Sequence, residues 1–180
     1  MAVGTRALGW LKPKGRPAPH ITAGYTPGLL GDVTAMHARW YAEHWGFGAI
    51  FEAKVASDMA DFLRALPHDD CQIWSVTEDA HFAGSIAIDG RQRAESGIAL
   101  LHWFLISPDL RGSGIGKRLL GEAVNFSRNR QIQTIRLWTF AGLDAARHLY
   151  EQHGFRLVRE SEATTWGKPV TEQVLELSFS

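Results

Sequence analysis

The chain's 180 residues give room for one hydrophobic core and too little for two comfortable domains. With 45% apolar residues and no low-complexity stretch, the composition excludes disordered and collagen-like classes. Its 19 basic residues balance 19 acidic ones, and no contiguous basic run exceeds Lys117-Arg118, so no nucleic-acid partner is expected.

The first twenty residues hold three prolines and four basic side chains and read as an extended arm, residues 1–20, ahead of a folded domain over 21–180. No stretch has signal-peptide or membrane-spanning length, so a cytoplasmic protein without a membrane partner is expected. The lone Cys71 suits a reducing compartment and reads as a small buried hydrophobe rather than a nucleophile. After the arm, "ITAGYTPGLLGD" suggests a strand and a Pro-Gly turn, with Asp32 capping the helix of "VTAMHARWYAEHWG" and Gly46 stopping it. In "AIFEAKVASDMADFLRAL" the residues Phe51, Val55, Met59, Phe62 and Leu66 form a helical stripe that Pro67 ends. "QIWSVTED" and "FAGSIAIDG" read as an antiparallel hairpin, and "RQRAESG" as a polar loop.

"IALLHWFLISP" reads as a central strand buried on both faces. The next helix places Ile115, Leu119, Ala123 and Phe126 on one face. It is followed by the buried strand "TIRLWTF", the short helix "DAARHLYEQHG" and the strands "FRLVRES" and "VLELSFS". Helices interleaved with strands in this order predict an α/β (α+β) fold around one mixed sheet of about six to seven strands.

"DLRGSGIGKRLL", at the junction of the central strand and the next helix, packs three glycines into five residues between basic side chains. At a helix N-terminus such a loop presents unpaired N–H groups and positive dipole potential, which suits a phosphate or pyrophosphate. Named loops fail on spacing. A dinucleotide fingerprint needs glycine at Lys117, a Walker loop needs glycine at Arg111 and Ser or Thr at Arg118, and a nucleophile elbow around Ser113 needs glycine at Arg111 and Ile115.

The pattern that fits is Arg-x-x-Gly-x-Gly, formed by Arg111, Gly114 and Gly116. With it comes "AARHLYEQHGF", in which Ala146, Leu149, Tyr150, Gly154 and Phe155 match A-x-x-L-Y-x-x-x-G-F. With both motifs in order, the chain resembles the GNAT superfamily of N-acetyltransferases. A closer likeness, carried by "GYTPG", "WYAEHWG", "FEAKVASDMADFL", "LWT" and "WGKPVTEQVLEL", is to acetyltransferase domains fused behind MarR-type regulators.

The resemblance implies a single domain in which "WFLIS" and "TIRLW" splay apart around acetyl-CoA as co-substrate. Backbone groups of Leu105 and Ile106 would hold the pantetheine arm, and amides of Arg111, Gly112, Ser113, Gly114, Ile115, Gly116 and Lys117 the pyrophosphate. Tyr150 falls on the position of the usual general acid, and a homodimer is common in the superfamily. Relatives often carry a glutamate on the strand "LLHWFLIS", where His102 is the only titratable residue and so the candidate base. His37, Tyr41, Phe51 and Glu52 lie on helices that line the acceptor pocket in relatives, and each also reads as an ordinary helix-face residue. The function implied is acetyl transfer to a primary amine of a small molecule or amino acid, by direct attack in a ternary complex. The alternative is an acyl-CoA sensor or interaction module on the same fold. No His/Cys/Asp/Glu cluster has ligand spacing, so no metal is expected.

Overall fold

The computed structural model describes residues 18–179. The elements are β1 (His20–Ala23), α1 (Leu29–Trp45), α2 (Ala49–Ala65), β2 (Cys71–Glu78), β3 (His81–Asp89), α3 (Arg93–Ser96), β4 (Ile98–Ile106), α4 (Ile115–Asn129), β5 (Thr134–Phe140), α5 (Asp144–Gln152), β6 (Arg156–Ala163) and β7 (Val170–Ser178). They form one seven-stranded sheet in the order β1-β2-β3-β4-β5-β7-β6, antiparallel except for β4 against β5. This is the mixed α/β sheet that the order of elements predicted. The expected arm falls almost wholly outside the described residues, since His20 already pairs with Thr77 of β2.

Side-chain alternation divides the core into two layers. On β2 and β3, Trp74, Val76, Ile86 and Ile88 face α4 and α5, where Ile115, Leu119, Leu120, Ala123 and Tyr150 meet them. Cys71, Ile73 and Ala87 point the other way, against Leu29 and Val33 of α1 and Met59 and Phe62 of α2. Each such large side chain, fully buried, contributes roughly 1.5–3 kcal/mol, which is what holds helices on both faces of the sheet. Phe126, expected on the buried face of α4, sits at the core's margin, edge-on to Trp74 at 5.6 Å.

Local differences from the sequence reading have local causes. Asp32 does not cap α1: the helix starts one turn earlier with Gly28 at the N-cap, its φ of 93° needing glycine, and Asp32 lies in the first turn, favourable to the helix dipole. Gly46 does stop α1, donating its amide to the Ala42 carbonyl in a left-handed conformation. The polar segment after β3 contains the single helical turn α3. Among the described residues no helix is long and apolar enough to cross a membrane.

Candidate active site

The parallel pair β4–β5 sets the site. It is paired only from Ile98 to Leu100 against Thr134 to Arg136, and beyond that the two strands part. The separation opens a cleft of about 970 Å³ with Leu101 to Ile106 on one wall and Leu137 to Phe140 on the other. The apolar run of β4 is for this reason only half buried over His102, Trp103, Phe104 and Ile106, where a continuously paired central strand would bury all of them. Backbone groups of β4 that turn toward β5 past Leu100 have no strand partner on that side.

A β-bulge shapes this wall. Ser85 pairs with Leu105 and Ala87 with His102, so Trp103 and Phe104 together oppose Ile86. Trp103 sits at φ 47°, a left-handed conformation costly for a bulky side chain. The hydroxyl of Ser85, which is wholly buried, donates to the Trp103 carbonyl at 2.7 Å and fixes the bulge. Gly84, next on β3, lies so close that a Cβ there would stand 2.7 Å from the Leu105 carbonyl oxygen.

The glycine loop closes one end of the cleft. Gly112 and Gly114 have φ of 77° and 82°, and a Cβ on either would meet nothing within 4 Å, so the space above the loop is open. The amides of Arg111 and Ser113 donate to the Pro108 and Leu110 carbonyls, and that of Ile115 to the Ser113 hydroxyl. Amides of Gly112, Gly114, Gly116 and Lys117 carry no such loop bond, and the last two belong to the helix's first turn, whose N–H groups lack intrahelical acceptors. Arg111 and Lys117 flank them, and the Arg111 guanidinium stands 5.6 Å from the ring centre of Trp40 on α1. An anionic group fits here.

Of the sequence candidates, His37, Tyr41, Phe51, His102, Leu105, Ile106, Arg111, Gly112, Gly114, Gly116, Lys117 and Tyr150 all line this one cleft. Ser113 serves the loop through its hydroxyl, and the Ile115 side chain is buried in the core. Glu52 is exposed on α2 and is not among the lining residues.

Tyr150 is 6% exposed and packed between Phe104 at 5.8 Å and Phe155 at 5.7 Å. Burial raises its pKa far above the ordinary tyrosine value, reinforced by Tyr41, so its hydroxyl is protonated at neutral pH and available as a donor. Burial pushes Tyr41 up to about 12. His37 goes the other way, to about 4: burial outweighs the upward pull of its bond between Nδ1 and the Val33 carbonyl, 2.8 Å long. His102 is also lowered, chiefly by burial against the opposing pull of Asp89 and Asp58. Both imidazoles are neutral at pH 7 and can accept a proton or a hydrogen bond.

On the side of the cleft lined by α1 and α2, Tyr41 and Phe51 meet Phe140 of β5 and Trp166 of the β6–β7 loop. Phe140 and Trp166 lie 5.0 Å apart, and Tyr41 and Phe51 4.9 Å apart. The reading of the sequence missed Trp166, Thr165, Glu172 and Phe140 as site residues. Phe140 reaches the cleft at the end of the splayed β5, and Thr165, Trp166 and Glu172 come to it through the β5–β7 pairing, which no local pattern announces.

A family model described as the acetyltransferase (GNAT) family matches residues 36–155. The chain belongs to this family. It is 26% identical over 136 residues to "Probable N-acetyltransferase camello" of Xenopus laevis, covering 75% of this chain and 62% of that protein. To the "N-acetylaspartate synthetase" of Danio rerio it is 26% identical over 147 residues, covering 81% and 51%. The chain thus spans between half and two thirds of these curated relatives. Among solved structures, the ribosomal-protein-alanine N-acetyltransferase of Brucella melitensis superposes with a TM-score of 0.70 at 17% identity, covering 89% of this chain and 99% of that one. A GNAT-family acetyltransferase of Streptococcus pneumoniae gives 0.68 at 21% identity over 90% and 100%. At those identities the likeness is one of fold, and the GNAT fold is the one described above.

Proposed function

We propose that this GNAT protein is an acetyl-CoA-dependent N-acetyltransferase that acetylates a primary amine of a small molecule or amino acid, by direct attack in a ternary complex. The observation that carries this reading is the convergence on one cleft of three features: the open glycine loop, the edge of β4 left without a strand partner toward β5 beyond Leu100, and the buried Tyr150. A cytoplasmic location accords with Cys71 being buried and unpaired.

The free amides of Gly112, Gly114, Gly116 and Lys117, with the side chains of Arg111 and Lys117, hold the pyrophosphate. The backbone of Leu105 and Ile106 supplies the strand-like partner for the pantetheine arm. Bound acetyl-CoA supplies the thioester to be cleaved. Holding it beside an amine in one enclosed cleft contributes most of the rate, through proximity. A free amine of this type has a pKa near ~10.4 and must shed a proton before its lone pair can attack. His102, neutral at pH 7, accepts that proton directly or through water. As the new C–N bond forms and the C–S bond breaks, a backbone amide near Leu105 stabilises the negative charge developing on the acyl oxygen. The Tyr150 hydroxyl gives its proton to the departing sulfur, and burial keeps that proton in place until it is needed.

The test is thermal unfolding with acetyl-CoA, NAD or ATP, followed by release of CoA thiol across an amine panel. Selective stabilisation by acetyl-CoA, worth about 2.7 kcal/mol at a hundredfold excess over Kd, is expected together with amine-dependent thiol release. Stabilisation without thiol release from any amine would favour the sensor reading, and no stabilisation would refute the acetyl-CoA site.

A further inference from the structure

Among the described residues, the acceptor side of the cleft contains one deeply buried charged side chain that nothing above employs. Glu172 on β7 is paired in register with Phe140 on β5, so it emerges beside that ring, and it lines the cleft with its side chain only 10% exposed. Of the other charges nearby, Lys54 and Asp58 neutralise each other at 2.8 Å on the exposed rim, and Asp144, at the start of α5, is exposed to water. Tyr41, Phe140 and Trp166 make the lining aromatic, with Phe140 3% exposed among the other rings, and His37 and His102 are uncharged at neutral pH.

Glu172 is poorly satisfied for a carboxylate so deeply placed. Its Oε2 accepts one long hydrogen bond, 3.4 Å, from the Thr165 hydroxyl. Its Oε1 forms an ion pair with the Arg159 guanidinium at 3.6 Å, beyond hydrogen-bond reach and with Arg159 itself 60% exposed to water, which screens the attraction. Burying a carboxylate costs several kcal/mol unless close, well-directed donors compensate, and neither contact is of that kind. A carboxylate with spare acceptor capacity in an aromatic-lined cleft is the chemistry that recognises an organic cation.

We propose that the acceptor carries two nitrogen groups, one that is acetylated beside Tyr150 and His102, and a second that stays protonated, held by Glu172 in the aromatic-lined part of the cleft that includes Trp166. This rests on the acyl-transfer reading and narrows its substrate class to amines with a distal ammonium group. The division of labour is chemical: the reacting nitrogen must give up a proton, whereas a nitrogen beside the Glu172 carboxylate is held in its charged form.

The probes are 1,5-diaminopentane and 1-aminopentane, which share their reacting end and differ in the distal ammonium. In the wild-type protein the diamine is expected to have at least about tenfold higher kcat/KM, the discrimination of a hydrogen bond to a largely buried carboxylate. Glu172→Gln, nearly isosteric, should collapse that ratio toward unity, and the KM for acetyl-CoA should stay unchanged. Trp166→Leu, in the exposed loop, is the second variant should Glu172→Gln fail to fold, and it should lower the ratio too. Equal use of both amines by the wild type, or a ratio insensitive to both variants, would overturn the subsite.

Calorimetric titration with 1,5-diaminopentane alone separates the two readings. Diamine binding that Glu172→Gln abolishes, without acetyl transfer, would sustain the subsite and refute the acyl-transfer reading. Monoamine acetylation with diamine binding indifferent to Glu172 would do the reverse.

Discussion

Ser85→Ala removes one hydroxyl that touches no substrate, yet it should weaken acetyl-CoA binding. Ser85 is fully buried and its Oγ donates to the Trp103 carbonyl at 2.7 Å across the β4 bulge. Trp103 is held at φ 47°, a conformation that costs an L-residue roughly 1–2 kcal/mol and persists only where surrounding contacts enforce it. Losing the donor removes a net ~1 kcal/mol and leaves the part-buried Trp103 carbonyl short of a partner, for a total of about 1–3 kcal/mol. That matches or exceeds the strain, so the bulge is free to relax toward regular pairing. A one-residue slip would turn Leu105 and Ile106 to opposite faces and misplace the backbone that faces the splayed gap. The assay is urea unfolding with and without acetyl-CoA, beside the acetyl-CoA KM. The expected result is a stability loss of about 1–3 kcal/mol together with a several-fold rise in that KM. A variant within ~0.5 kcal/mol of wild type with an unchanged KM would refute the clamp.

Tyr150→Phe, which keeps the ring packed between Phe104 and Phe155, should lower kcat by about two to four orders of magnitude at nearly constant acetyl-CoA affinity. Unchanged turnover would remove Tyr150 from the chemistry. Gly114→Val forces a β-branched residue to φ 82° and fills the open space over the loop, so calorimetry should show acetyl-CoA affinity reduced at least about tenfold. Undiminished affinity would contradict the cradle. His37 has its pKa lowered to about 4 from 6.5, so between those values the unfolded chain binds the extra proton and stability falls with falling pH. That loss, about 3 kcal/mol in all, should be complete near pH 4 and largely absent from His37→Gln when the two proteins' denaturation midpoints are compared from pH 7 to pH 4. Parallel curves would show that His37 is not held neutral by the fold.

Much of this fold was legible because its signals are local. The stripe Phe51, Val55, Met59, Phe62 is buried as its period requires, and Gly46 ends α1 as a left-handed glycine does. The start of α1 was misread because Asp32 has the chemistry of a cap, whereas the chain's conformation at Gly28 decides where the helix begins. The glycine loop was legible for the same local reason: its spacing alone excluded three known loops, and its φ values require the glycines at 112 and 114.

The acceptor end was not legible, and the reason is geometric. His37, Tyr41 and Phe51 belong to helices whose periodicity could be read, but what faces them across the cleft comes from the end of β5 and the last hairpin, far along the chain. Glu172 illustrates the difficulty. In "VTEQVLEL" it looks like any glutamate of an alternating strand, and only the pairing of β7 with β5 puts it beside Phe140, just as the turn of the β6–β7 loop brings Trp166 there. Glu52 is the converse case: its place on α2 beside Phe51 suggested the pocket, yet one step along a helix turns a side chain by about 100°, and it faces out while Phe51 faces in. A motif can therefore specify the half of the site that handles the shared co-substrate, because that half is one contiguous loop and helix. The half that selects the acceptor is assembled from α1, α2, β5 and the last hairpin, and its specificity resides in side chains that only the folded sheet brings together.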